Sequence, residues 1–426
     1  MTQPLKSEIQ EFILKIQDEV LGIGDSRWID FDPSSHGGVV DDLATEIDLA
    51  AATGTYILTG QSGTGKSSTL RRLQTRLIGL NMQVVYIDMS EALLLSDRVE
   101  IGDFLVSMVG AIGESLEIVT GVSAQKNYWQ RIGDMFSREV DIKEFGFSLS
   151  GFNVKAGIKE DANFRHKFQR ATRTRLRELR AAAAEHLAEH ASTLDRMDGG
   201  VRRKIVVLVD SVEKLGGRKR GDLEVLRDVR DLFLNSGSLL IIPSFHMVYT
   251  VPPYLPILVP GLQTAMGVTI IRRLTCIKVL RKGAERVSDS IGIGLLRSML
   301  SARFAEWNGF LTEEAMAEIA IGSGGDLRSF LKHIVFCVNL VIRKSTGFPF
   351  GVTLVRDAHK EIRDGMGQLF STDLDRLVRI KASNEHCLET EEEIPHLAHL
   401  LENKLVLTYK NGETWYGVHP LIRDMI

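Results

Sequence analysis

The run Gly60-Gln61-Ser62-Gly63-Thr64-Gly65-Lys66-Ser67 constrains this chain more than any other stretch, because it matches the phosphate-binding loop pattern at every position. Its flanks agree with that reading. Before it, Thr55-Tyr56-Ile57-Leu58-Thr59 is rich in β-formers and reads as a short buried strand, and after it Leu70, Leu73, Leu77 and Leu80 recur at helical spacing. A Gly-rich turn between strand and helix aims the free N–H groups of the first helical turn at an anion, and glycine allows the close approach. Lys66 is placed to reach the β and γ phosphates and Ser67 to offer its hydroxyl to Mg²⁺, with Gly60 to Ser68 forming the cradle. The expected ligands are ATP and Mg²⁺.

Such a site also needs a carboxylate for the metal at the end of a second buried strand. Ile205-Val206-Val207-Leu208-Val209-Asp210 is a continuous apolar run ending in one acid, the pattern of a central parallel strand covered on both faces. Asp210 is the expected metal carboxylate, since ligands of α/β sheets bind beyond the carboxyl ends of the strands; the bland alternative is a cap for the next helix. Gln83–Asp88 and Leu239–Pro243 read as further strands. Strands alternating with helices predict an α/β fold with a three-layer parallel-sheet P-loop core.

With these pieces in place the chain resembles the AAA+ ATPases, and within them the group holding the origin-recognition initiators and the STAND signalling ATPases. The resemblance is carried by the loop, the acid-ended strand, a further strand, and Gly324-Gly325-Asp326-Leu327-Arg328 at the start of a helix continuing through Phe330, Leu331, Ile334 and Val335. It spans about residues 37 to 345. It implies an all-helical lid whose Arg328 touches the γ phosphate as a second sensor. It also implies a first sensor after the next strand, where Ser244 matches first and His246 second. By physical chemistry alone the Asp326 segment is a capped helix start.

Two departures stand out. The family usually places a Glu directly after the metal Asp, whereas here Ser211 follows and the nearest acid is Glu213. Glu213 either polarises the attacking water as a general base or pairs with a neighbouring base such as Arg218 or Lys219, leaving a protein that binds ATP and turns it over slowly. A subunit acting in trans would supply an arginine to the γ phosphate, and Arg272 and Arg273, ahead of a strand expected at Cys276–Val279, are the candidates; surface bases are the alternative.

The second departure is an insertion at about residues 120 to 200. Phe145, Phe147, Leu149, then Phe152, Val154, Ala156, alternate with polar residues around Ser150-Gly151, a hairpin pattern. Phe164 to Leu187 reads as one long helix whose first half carries Arg165, Lys167, Arg170, Arg173, Arg175, Arg177 and Arg180. Residues Arg165 to Arg180 form either a solvated face or a contact for nucleic acid or an acidic partner. His186-Leu187-Ala188-Glu189-His190 matches a zinc-protease pattern with no third ligand in view.

The expected organisation is an N-terminal helical extension (1–36), the ATPase core with its insertion (37–280), a helical lid (281–346) and a winged-helix-like module (347–426). That module ends in helices and two alternating strands around Asn411-Gly412, the strongest short-range hairpin signal. The helix at about Ile394–Asn403 follows Glu389, Glu391, Glu392 and Glu393 and holds no Lys or Arg, so it suits a protein contact or an intramolecular brake better than a phosphate backbone.

Composition narrows the class. With 52 Lys plus Arg against 55 Asp plus Glu, the formal charge of -3 gives no global field for nucleic acid, so any such contact is local. Cys276, Cys337 and Cys387 are too few and too scattered for a disulfide framework. The polar, acidic start Met1-Thr2-Gln3-Pro4-Leu5-Lys6-Ser7-Glu8 lacks the pattern of a secretory leader, and prolines interrupt the most apolar stretch, so a cytoplasmic protein with no membrane span is expected. The leading expectation is an ATPase whose nucleotide-dependent homo-oligomerisation controls a partner or effector protein, plausible settings being bacterial defence or mobile-element biology. The alternatives are an initiator-like DNA-binding ATPase using the basic insertion, and an ATP-holding scaffold with little turnover.

Overall fold

The computed structural model describes residues 4–29, 38–93, 99–121, 124–136, 158, 161–197, 199–200, 203–214, 223–283 and 287–426. Five strands form one sheet: β1 (Thr55–Gly60), β2 (Gln83–Asp88), β3 (Ile205–Asp210), β4 (Phe245–Val251) and β5 (Val268–Leu274). Their spatial order is β2-β3-β4-β1-β5, and the β1–β4, β3–β4 and β2–β3 pairs are parallel. Every residue of β1, β3 and β4 is buried, as apolar runs covered on both faces must be, while the edge strands β2 and β5 are partly exposed. This is the expected three-layer α/β core.

The helices, in chain order, are α1 (Lys6–Lys15), α2 (Val39–Leu49), α3 (Lys66–Gly79), α4 (Ile101–Thr120), α5 (Ala124–Phe136), α6 (Ala162–Thr172), α7 (Leu176–Met197) and α8 (Leu223–Arg230). They continue with α9 (Ser290–Arg303), α10 (Glu313–Gly322), α11 (Leu327–Lys344), α12 (Val352–Asp364), α13 (Ser371–Ser383) and α14 (Ile394–Glu402). A final hairpin, β6 (Val406–Asn411) and β7 (Glu413–Val418), turns at Gly412 in the left-handed region. The expected hairpin thus lies where Asn411-Gly412 places it.

The chain divides into two compact units. One comprises 41–59 and 73–272, and its core joins Ile57 and the inward faces of β2, β3 and β4 to Phe104, Leu105, Met108 and Val109 of α4, Trp129 of α5, Phe164 and Phe168 of α6 and Leu187 of α7. The other comprises 1–40, 60–72 and 273–426. Its core joins Phe12 of α1, stacked on Phe310 with centroids 4.2 Å apart, to Leu296 of α9, Ile319 of α10, Phe330 and Ile334 of α11 and Val355 of α12. A smaller cluster of Cys276, Leu407, Tyr409 and Trp415 backs the hairpin. The phosphate loop thus falls in the same unit as residues 273–426.

Three expected elements differ. Leu239–Pro243 is no strand: Gly237–Leu240 is a 3-10 turn, and the strand begins at Phe245. Pro243 has no N–H for a central ladder, and Ser244 at φ +69 turns the chain into β4. The long helix expected over Phe164–Leu187 is broken into α6 and α7, because the Thr172 and Thr174 hydroxyls donate to the carbonyls of Gln169 and Ala171 and compete with the helical ladder. Cys276–Val279 is extended without being a strand, its amides taken by Thr408 O (Cys276) and Gly325 O (Ile277), both at 2.9 Å. The hairpin expected over Phe145–Ala156 lies outside the described residues. Among the described residues, no helix is long and apolar enough to cross a membrane.

Candidate nucleotide site

Gly63 and Gly65 take φ of +97 and +91, conformations that L side chains rarely adopt, and these bends let the loop wrap before α3 begins at Lys66. The Lys66 ammonium is buried and curls back to donate to Gly60 O at 2.8 Å and Gln61 O at 3.1 Å, while Thr64 Oγ1 donates to Gln61 O at 2.9 Å. The cation thus rests on the loop's own carbonyls. Ser67 is half-buried in the first turn of α3, and Ser68 Oγ accepts from Leu21 N at 3.1 Å.

The lid closes on this loop within the same unit. Asp326 caps α11 by accepting from Ser329 N at 2.8 Å, and a Cβ on Gly63 would come within 2.6 Å of Asp326 Oδ2, so only glycine fits there. Gly325, at φ +73, has Ile277 O where a Cβ would be, at 1.8 Å. Asp326 is buried; burial by itself would raise its pKa, but Lys404, whose Nζ donates to Oδ1 at 2.7 Å, and the Ser329 hydrogen bonds together outweigh it, and the carboxyl titrates below its ordinary value. Arg328, expected to sense the γ phosphate, reaches the loop: Nη1 donates to Ser62 Oγ at 3.0 Å. Its Nε lies 2.6 Å from Asp18 Oδ2 in the N-terminal segment, an ion pair at an angle unsuited to a hydrogen bond.

The C-terminal module holds the loop directly, which the sequence does not reveal. Gln61 is buried, its Nε2 donates to Leu401 O and Val406 O, both at 2.8 Å, and its Oε1 accepts from Thr408 N at 2.9 Å and Thr408 Oγ1 at 3.2 Å. Tyr409 adds a hydroxyl bond to Gly324 O at 2.9 Å. The acids ahead of α14 serve the module itself: Glu393 pairs with Arg376 at 2.7 Å and Glu389 with Arg379.

The other unit carries the acid of β3. Asp210 is buried, and its partners are Ser211 N at 2.7 Å, Thr250 Oγ1 at 3.2 Å and Tyr86 OH at 2.5 Å. All three are neutral donors, and among the described residues no cation pairs with it. Carboxylate and hydroxyl oxygens of this kind are the hard donors that suit a divalent ion. Tyr86 and Thr250 were invisible to motif reasoning: Thr250 sits near the carboxyl end of β4, the position sought for the first sensor, and it is hidden because the strand begins later than the apolar run suggests. Ser244 accordingly lies ahead of β4 and not after it. His246, inside β4, lies 3.3 Å from Tyr56 OH, and burial lowers its pKa to about 4.

The remaining candidates are placed as follows. Arg272 and Arg273 lie in β5, Arg272 paired with Asp42 at 3.1 Å and Arg273 donating to Tyr416 OH at 3.4 Å. Glu213 falls in the 3-10 turn Val212–Lys214, but its side chain, with Arg218 and Lys219, lies outside the described residues. Of the basic stretch, Arg165 is buried against Ile158 O, Arg173 pairs with Glu100 and Arg175 donates to Met135 O, whereas Arg170, Arg177 and Arg180 are exposed. His186 and His190 face inward, His186 stacked on Tyr128 at 4.5 Å and His190 Nδ1 3.2 Å from Thr120 Oγ1; among the described residues no cluster has the ligands for a metal ion.

No protein-family model matches the chain, and no curated protein matches it by sequence. Its structure is similar to the ORC1 protein of Aeropyrum pernix, solved in complex with DNA (13% identity, 94% of this chain and 96% of that one, TM-score 0.38). It is also similar to Cdc6p of Pyrobaculum aerophilum (14%, 95% and 96%, TM-score 0.37) and to the Holliday junction branch migration motor RuvB of Thermotoga maritima (11%, 82% and 78%, TM-score 0.34).

Proposed function

We propose that the chain is an ATP-binding, ATP-hydrolysing protein of the AAA+ type that assembles in a nucleotide-dependent way to control a partner protein. The observation that supports this reading is the bond from Arg328 to Ser62 of the phosphate loop, the same loop that holds the buried Lys66; a triphosphate bound to that loop would meet both cations. Mg²⁺, when bound, would neutralise phosphate charge, and the sequence offers Ser67 and Asp210 as the oxygens to hold it. Arg272 or Arg273 serves a neighbouring copy in trans once released from its present partner. Glu213 is the water-activating acid that the sequence offers. The test is calorimetric titration of ATP with Mg²⁺ into the wild-type protein and Lys66→Ala, with mass by light scattering in ATP, in ADP and without nucleotide. Equal ATP binding by a folded Lys66→Ala protein refutes the site, and a monomer under all three conditions refutes assembly.

A second reading, nucleic-acid binding through the insertion, rests on Arg170, Arg177 and Arg180, which remain exposed. Loss of salt-dependent DNA or RNA binding when the three are neutralised would support it.

A further inference from the structure

The N-terminal segment brings a carboxylate to the lid arginine. Two buried apolar residues pin this segment on either side: Ile16, just past α1, lies in the core shared with Phe330 and Ile334, and Leu21 is buried with its N–H donating to Ser68 Oγ at 3.1 Å in the first turn of α3. Further on, the Arg72 guanidinium of α3 sits over the Trp28 ring at 5.7 Å. Between the two pins stands Asp18, whose Oδ2 lies 2.6 Å from Arg328 Nε and 4.0 Å from Lys332 Nζ, one turn further along α11. The span from Ile16 to Leu21 therefore bridges α11 and the start of α3, and all of these residues belong to one compact unit.

The Asp18–Arg328 pair is suited to exchange. It lacks a hydrogen-bond angle and both side chains keep part of their surface in water, so screened attraction is its main hold. Through Nη1 the same guanidinium donates to Ser62 Oγ at 3.0 Å, so one cation spans Asp18 and the phosphate loop. An anion on the loop would draw on that charge and repel the carboxylate beyond it. Asp18 keeps Lys332 as a second cation, so losing Arg328 does not strand it. We propose that Asp18 is a latch, competing with the phosphates of ATP for Arg328: when ATP takes the arginine, Asp18 falls back on Lys332 and the segment around it loosens. The inference rests on the ATP-binding reading above. Because latch and nucleotide share one cation, each weakens the other by the same factor. ATP carries more negative charge than ADP and opens the latch further, which makes the N-terminal segment the part of the chain that reports which nucleotide is bound.

Asp18→Asn keeps the size of the side chain and removes its charge. The experiment measures ATP and ADP affinities by calorimetry, and hydrogen exchange over residues 17–24, for the wild type, Asp18→Asn, Arg328→Ala and the double variant. The expected result is ATP binding about twofold to fivefold tighter in Asp18→Asn, the range an accessible ion pair allows, with ADP affinity changed by less than about twofold. In the Arg328→Ala background the same substitution should bring no gain, since the cation competed for is gone. Exchange over 17–24 in the wild type should quicken with ATP more than with ADP, whereas in Asp18→Asn it should be fast without nucleotide and respond little to ATP. Unchanged or weaker ATP binding by Asp18→Asn overturns the proposal, as does a gain that survives in Arg328→Ala, or wild-type exchange that ignores ATP; each leaves ATP binding standing. A wild type that fails to bind ATP overturns the parent reading and the latch with it.

Discussion

Replacing Gln61 tests whether the phosphate loop and the C-terminal module are one cooperative structure. Gln61→Ala removes four hydrogen bonds in a buried setting; the Val406 carbonyl and the Thr408 amide lose their Gln61 partner, and Leu401 O keeps only the 3.3 Å bond from Lys404 N. At about 0.5–1.5 kcal/mol net per bond, with water recovering part of the loss, the cost is about 3 kcal/mol. For a unit of this size that corresponds to a fall in melting temperature of about 6–12 °C. Hydrogen exchange across residues 401–409 should quicken by roughly 100-fold, because about 1.4 kcal/mol corresponds to a tenfold change in the opening equilibrium. Gln61→Glu keeps the acceptor for Thr408 but turns an oxygen toward both carbonyls, and should cost at least as much. Scanning calorimetry and exchange mass spectrometry give the readouts. A melting point within 1 °C of wild type, with hairpin exchange unchanged, would refute the reasoning.

Lys66→Ala should weaken ATP binding roughly tenfold to 150-fold, the range for a charged hydrogen bond of about 1.5–3 kcal/mol, while the melting point of the nucleotide-free protein moves little; calorimetry decides. Arg328→Ala should shrink the ATP-versus-ADP difference in multimer fraction without abolishing nucleotide binding, and light scattering that still separates the two states as widely as in wild type would count against the lid as sensor. The histidines set a pH dependence. Burial holds His186 and His246 at about 4, below the unfolded value, so the unfolded chain binds the extra protons. Their stabilising contribution is full above about pH 6.5 and declines as pH falls toward 4, by up to about 1.4 kcal/mol per pH unit for each. Urea midpoints measured from pH 7.5 to 4.5 should show this slope, and a His186→Phe, His246→Phe protein should show a shallower one.

Much of the core is legible in the sequence because local signals and burial agree there. β1 and β3 announce themselves as apolar runs, the loop as a glycine pattern, and the β6–β7 turn as Asn411-Gly412. β4 misleads, since Leu239–Ile242 is as apolar as a strand but is followed by a proline that cannot join a central ladder. The basic stretch misleads in the same way: charge in a string does not tell that Arg165 turns inward while Arg180 stays in water. At the site, Lys66 is readable from the loop pattern and Arg328 from the resemblance its segment bears to a second sensor. Asp18, Lys404 and the grip of Leu401, Val406 and Thr408 on Gln61 are not, because each joins residues far apart in the chain through polar contacts that leave no periodic trace.

The hold of the hairpin on Gln61 bears on how this protein can be taken apart or recombined. A fragment ending at residue 346 would keep the loop, Arg328 and every lid helix, yet it would strip Gln61 of all four partners and leave Asp326 buried without Lys404. An apparently complete ATPase would then carry an unpaired interior charge beside its own phosphate loop. The last 80 residues of the chain are thus not a cassette to be exchanged between proteins: a graft from another source would have to bring a backbone that presents two carbonyls and an amide to the glutamine, and a base to Asp326.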